Sequence, residues 1–151
     1  MRQARPDVAR AEAPASVGNL ATGFDILGHT IEGPRDRVSV RRIGGAEVRL
    51  RSVTGVVTDL PGEPSRNTAL RALDALRISR ELPFGFEVDI TKGIPLGSGM
   101  GGSAASAVAA LVAGNALLDE PLDITELYPL ALEGEVAASG GYHGDNVGPM
   151  L

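Results

Sequence analysis

The stretch Phe84-Gly-Phe-Glu-Val-Asp-Ile90, Lys92-Gly-Ile-Pro-Leu-Gly-Ser-Gly-Met-Gly-Gly102 and Ser103–Leu118 passes through three kinds of pattern in 35 residues. Phe84, Phe86, Val88 and Ile90 alternate, which is the period of a strand with one buried face. A loop follows, dense in glycine. Ala104, Ala107, Val108, Leu111 and Val112 then fall at i, i+3, i+4, i+7 and i+8, the stripe of a core-facing helix from about Ser103 to Leu118. Glycines let such a loop turn its N–H groups towards one point, and the helix start adds about half a positive charge. Strand, glycine loop and helix together make an anion site that needs no basic side chain.

Charge points the same way. All 13 Arg lie at or before Arg80, and the single Lys is Lys92. Residues 1–92 carry 14 basic and 12 acidic side chains, while residues 93–151 carry seven acidic and no basic ones. A phosphorylated ligand in the second part would therefore be held by backbone N–H groups, hydroxyls and a carboxylate-bound metal ion. An acidic face can equally serve solubility alone. The net charge of −5 argues against nucleic acid or an acidic membrane as a general partner.

Working outward, Asp36–Ile43 carries Val38, Val40 and Arg41 in strand fashion, and Ala46–Val53 sets Val48, Leu50 and Ser52 against Glu47, Arg49 and Arg51. Gly44-Gly45 between them reads as a β-hairpin turn. Residues 11–17 are small, and Leu60–Ser65 is a Pro/Gly loop. Asn67–Ile78 is helical, with Leu70, Leu73 and Leu76 on its buried side. Asp123, with Glu126 three residues on, starts another helix running to about Ala138, which Ser139-Gly-Gly ends. Pro149-Met-Leu151 reads as the start of an apolar strand. Hairpins mixed with helices, without βαβα alternation, give an α+β class. The 151 residues suit about one domain or part of a larger one.

Composition narrows the chemistry. With no Cys, disulfides, thiolate metal sites and Cys nucleophiles are excluded. Aromatics are 3%, with no Trp, so the core must come from Ala, Val, Leu and Ile. No apolar run reaches the roughly 18 residues of a membrane span, and no apolar signal segment follows the N-terminal arginines, so a cytoplasmic protein is expected. Gly97, Gly99 and Gly102 fit the dinucleotide fingerprint, but the second parallel strand that it needs does not follow the helix. A Walker A loop fails because Gly102 runs into Ser103 with no Lys.

Pro95-Leu-Gly-Ser-Gly-Met-Gly-Gly-Ser-Ala104 resembles the phosphate motif of the GHMP small-molecule kinases, Pro-x-x-x-Gly-Leu-Gly-Ser-Ser-Ala. Met100 stands for Leu and Gly102 for the first Ser; the second Ser is kept as Ser103. Ala13–Gly28 and Gly140-Gly-Tyr-His-Gly-Asp-Asn-Val-Gly-Pro149 resemble the substrate motifs of the branch that phosphorylates L-homoserine.

The resemblance implies the fold of that family's N-terminal domain (ribosomal protein S5 domain 2-like), a two-layer mixed sheet with helices on one face. It also implies transfer of phosphate from ATP, with Mg²⁺, to the hydroxyl of L-homoserine. ATP would lie on Pro95, Leu96, Gly97, Ser98, Gly99, Met100, Gly101, Gly102, Ser103, Ala104 and Ala105, with Asn67 and Lys92 near the nucleotide. Ser103 and Glu135, eight residues before His143, would hold the metal; Glu133 is the fallback. Substrate would meet Asn19, Asp25, His143 and Asn146, and Asp25 and His143 are the candidates for a general base, neither being assigned. Each of these residues also has an ordinary structural reading: a turn for Asn19 and Asp25, a solvated helix face for the glutamates, a surface Lys at a strand end. His29 is read as structural. Another member acting on mevalonate or a sugar, and a nucleotide-binding fragment without activity, remain alternatives. A homodimer stays open. Family members run to about twice this length with a second domain, so residues 1–151 read as the N-terminal domain, continuing past 151 and inactive alone.

Overall fold

The computed structural model describes residues 6–18 and 27–151. Four strands, β1 (Val8–Val17), β2 (His29–Gly44), β3 (Val48–Gly55) and β4 (Phe84–Lys92), form one sheet in the order β1-β2-β4-β3. Helices α1 (Thr68–Ser79), α2 (Gly102–Asn115) and α3 (Ile124–Ser139) pack together, and α1 and α2 also pack on the sheet. A short α4 (Val147–Met150) closes the described chain. The class is α+β with a mixed sheet, as the mixture of hairpin-like and helical patterns implied.

The sheet has two unlike faces because strand side chains alternate. Val38, Val40, Phe86, Val88 and Ile90 are buried under the helices. Their neighbours carry the charges: Arg37 bonds Glu12, Arg49 bonds Glu87, and Arg51 bonds Asp89 across the open face. Much of the N-terminal arginine content is thus a solvated sheet surface. The core is aliphatic as expected, with Phe86 the aromatic exception, edge-on to Phe84 at 5.6 Å between centroids.

The expected hairpin between Asp36–Ile43 and Ala46–Val53 does not form. β4 lies between the two strands, antiparallel to β2 and parallel to β3. The connection 45–47 therefore steps across the start of β4, a gap of two strand spacings or about 10 Å, within reach of three extended residues. Gly85 sits directly beneath it. A Cβ there would lie 2.0 Å from the Glu47 carbonyl oxygen, while the next amide, Phe86 N, donates to that same oxygen at 2.9 Å.

The expected facing of β3 also fails halfway along. Leu50 pairs with Val88 but Ser52 pairs with Asp89, so Arg51 is an extra residue in a bulge. A bulge reverses the phase of everything after it. Ser52 is therefore exposed and donates to Asp89, and Val53 takes the inward position opposite Ile90.

α3 starts where its cap predicts, and α1 starts on a side-chain cap of its own. Asn67 Oδ1 accepts from the amides of Ala69 and Leu70, and Asp123 and Glu126 form a reciprocal capping box. α2 is not a one-sided helix. Residues 104–111 and 113–115 are all buried, whereas Val112, counted in the apolar stripe, is 40% exposed. Its small side chains let α1 come close: a Cβ on Gly114 would lie 2.4 Å from Leu73 Cδ2. The last residues form the turn α4 rather than a strand, its first N–H bond running from Gly148 back to Gly144.

Candidate active site

The loop between β4 and α2 is built on left-handed glycines. Gly97, Gly99 and Gly101 have φ of 67°, 73° and 68°. Alternating such residues with ordinary ones turns successive N–H groups towards one side. Gly101 is also the N-cap of α2 and supplies no side-chain acceptor, so the first amides of the helix have no capping side chain. Space demands glycine here as well as φ, because a Cβ would lie 2.3 Å from Ser16 Oγ.

Loop and helix start line a cavity of about 460 Å³ with Gly18, Ala138 and Asn146; Pro95 to Gly99 and Gly101 to Ser103 form its wall. Ser16, at the end of β1, ties the parts together. Its amide donates to the Met100 carbonyl at 3.0 Å and its hydroxyl to Asn146 Oδ1 at 2.6 Å. Ala104 and Ala105 are fully buried and can contribute only backbone, and Met100 packs against the core.

Ser103 and Glu135 meet, as the metal pair requires. Glu135 is 6% exposed on α3, and its Oε1 is buried without a hydrogen-bond partner. Burial raises its pKa above the ordinary carboxylate value; the Ser103 hydrogen bond and the His143 charge oppose this, and Asp145 adds to it. An orphan carboxylate oxygen beside a hydroxyl, at a helix N-terminus, fits a hard cation that takes one or two protein ligands and leaves the rest to phosphate and water. Glu133 is engaged elsewhere. It accepts from Tyr142 at 2.7 Å and from Arg71 at 3.2 Å, and these bonds, Tyr142 first, lower its pKa against the opposing effect of burial. Of the two glutamates, Glu135 fits the metal.

A second cavity of about 230 Å³ shares Leu96, Ser103 and Ala138 with the first and adds Asn67, Thr68, Lys92 and Ser106. Asn67 and Lys92 are thus together, but both are occupied. Asn67 caps α1 and donates to the Pro61 carbonyl at 2.9 Å. Lys92 is 2% exposed, and its ammonium donates to Asp36, to Ser106 at 3.0 Å and to the Gly102 carbonyl at 2.9 Å. Gly102 lies close against this arrangement. A Cβ there would come within 3.1 Å of Ile94 Cγ2 and 3.4 Å of Lys92 Nζ.

His143 and Asn146 flank Asp145, which is 3% exposed and packs against Gly18 and Gly28. Asn19 and Asp25 lie outside the described residues. His29 is exposed at the start of β2, 3.0 Å from the Thr30 carbonyl, and takes no part. Four side chains at the site escaped sequence reading: Ser16, Asp36, Ser106 and Thr68, whose hydroxyl donates to the Ser103 carbonyl at 2.9 Å. Each acts through a partner 35 to 130 residues away, which no local pattern reveals. Asp145 lies inside the Gly140–Pro149 motif, between His143 and Asn146.

Known proteins match this picture. The model of the GHMP kinases N terminal domain matches residues 67–151. A homoserine kinase of Xanthomonas campestris pv. campestris is 58% identical over 95% of this chain, which is 44% of its own length; one of Xylella fastidiosa is 57% identical over the same shares. The crystal structure of homoserine kinase from Cytophaga hutchinsonii superposes with a TM-score of 0.89 at 39% identity, covering 99% of this chain and 47% of that one. Mevalonate kinase of Methanococcus jannaschii, at 15% identity and TM-score 0.74, shares the fold. The chain spans about half the length of these relatives. Domain match, sheet and loop agree, and the chain belongs to the GHMP kinase family, whose N-terminal domain it carries.

Proposed function

We propose that the chain is the N-terminal portion of a cytoplasmic kinase that moves the γ-phosphoryl group of ATP to the side-chain hydroxyl of L-homoserine. The observation that carries the chemistry is the orphan Glu135 Oε1 next to Ser103, at the uncapped start of α2 and beside the glycine-loop cavity. The substrate rests on the relatives that share 57–58% of this sequence and are named homoserine kinase.

Phosphate oxygens would accept from the N–H groups of residues 97–103, where preorganised amides and the helix charge stabilise an anion. Ser103 and Glu135 would hold Mg²⁺, which neutralises charge on the phosphates when bound. Asn146, with His143 and the residues Asn19 and Asp25, would orient the amino acid, whose ammonium, carboxylate and hydroxyl need both acceptors and donors. No base is assigned. Phosphoryl transfer depends mainly on alignment and charge stabilisation, which this arrangement of amides provides. Among the described residues, Arg66 is the one arginine lining the two cavities, so the substrate carboxylate and the transferred phosphoryl group would draw further cationic contacts from the half that the relatives have in addition.

The test is ADP release with Mg-ATP, with and without L-homoserine, for this chain and for a protein of the relatives' full length. Homoserine-dependent turnover by the longer protein, on the order of 1–100 s⁻¹, is expected, with nucleotide binding and negligible turnover by the 151 residues alone. A longer protein that is idle with homoserine but active on mevalonate or a sugar would overturn the substrate. Failure of both proteins to bind nucleotide would overturn the kinase reading.

A further inference from the structure

The glycine-rich loop is held from below by one carboxylate far away in sequence. Asp36, on β2, is fully buried, and four donors converge on it. Oδ1 accepts from the amides of Gly93 at 3.0 Å and Ile94 at 3.1 Å, the first residues of the loop. Oδ2 accepts from Ser106 Oγ at 2.7 Å, one turn into α2, and from Lys92 Nζ. Lys92 passes the constraint on, donating to the carbonyl of Gly102, where the loop becomes helix. Both ends of the loop are therefore referred to a single group, while the residues between them line the cavity.

We propose that Asp36 is the positioning residue of the phosphate loop, acting through Lys92, Gly93, Ile94 and Ser106 to hold its N–H groups in the anion-binding arrangement before nucleotide arrives. The inference rests on the kinase reading only for the identity of the anion. A buried ion pair is seldom needed for stability, since apolar replacement of both members is often neutral or better. What an apolar pair cannot do is accept from two loop amides and fix a helix start together. Preorganisation of that kind raises affinity by lowering the ordering cost on binding.

The test uses the 151-residue chain in three forms: as it stands, Asp36→Asn, and Ser106→Ala. The second substitution keeps the ion pair and removes one donor. Amide hydrogen exchange is followed for residues 93–104 and for β4, alongside titration with Mg-ATP and with adenosine. Asp36→Asn is expected to speed exchange across 93–104 more than in β4 and to weaken Mg-ATP binding by about tenfold or more, the scale seen when an outer support is removed. Adenosine affinity should hold, because only the phosphate contacts are loosened. Ser106→Ala should move the same readouts less, and it decides the matter if Asp36→Asn fails to fold. Unchanged loop exchange in the folded variants would overturn the proposal, as would losses shared equally by adenosine and Mg-ATP. If the unsubstituted chain itself binds no Mg-ATP, the exchange comparison still judges the clamp, and nucleotide binding by the longer protein judges the kinase reading.

Discussion

Glu135 shows what a buried side chain can say about chemistry. Burial raises its pKa above the unfolded value, so folding without metal shifts the balance towards the protonated form relative to the unfolded chain. Its contribution to stability is complete below the unfolded carboxylate value of about 4.3 and is lost as pH rises through the raised folded value. Glu135→Gln should abolish that decline and melt no lower than the parent at pH 7 without metal. It should also lose the stabilisation by Mg-nucleotide expected of the parent, and differential scanning calorimetry with and without Mg-ATP reads both effects. Gly101 is the second decisive residue. Gly101→Ala puts a Cβ 2.3 Å from Ser16 Oγ at a φ of 68°, so Mg-ATP binding should fall below detection in calorimetric titration while the far-UV spectrum stays near that of the parent.

At the scale of elements, the crossing of 45–47 over β4 depends on Gly85. Gly85→Ala would drive a Cβ to 2.0 Å from the Glu47 carbonyl, and overpacking of this kind costs about 1–3 kcal/mol. A lower urea midpoint at unchanged slope is the expected result. The β3 bulge is held by Asp89, whose carboxyl the Arg51 hydrogen bond lowers, with burial opposing and Ser52 assisting. Stability from this group is present above the unfolded value of about 3.9 and disappears as pH falls through the lowered folded value. Asp89→Asn should therefore flatten the acid limb of the stability profile between those two values, by a small amount, because the pair is solvated. Sequence patterns read the helices more faithfully than this sheet. A cap and a 3.6 period are local, so the spacing of Leu70, Leu73 and Leu76 announces α1 and Asp123 with Glu126 announces α3. Which strand lies beside β2 is not local, and Gly44-Gly45 looks the same whether the next strand pairs with β2 or leaves room for β4.

Across the whole molecule, α2 is the element on which everything converges. It packs on the sheet, on α1 and on α3, and its N-terminus carries the loop. The α1 contact is made by Leu73, which is fully buried and close-packed on Gly114. Leu73→Ala should cost about 2–5 kcal/mol in urea unfolding. That loss would fall on the entire domain rather than on the site, because the helix cannot shift without moving the loop.

The sequence by itself determined the glycine loop, the helix that follows it, the leucine stripe of α1, the capped start of α3, and the spacing that offers Glu135 as the partner of Ser103. It could do so because periodicity, capping and glycine at left-handed positions are short-range properties, and because the motifs keep family spacing. Only the tertiary structure decided the order β1-β2-β4-β3, the phase change at Arg51 that turns Ser52 outward and Val53 inward, and the engagement of Glu133 by Tyr142 and Arg71. It also decided that Lys92, which reads as a surface cation near nucleotide, is a buried strut on Asp36. Each of these turns on which distant groups meet out of water, where a polar atom must find a partner or a ligand, and the packing of the whole chain sets that choice.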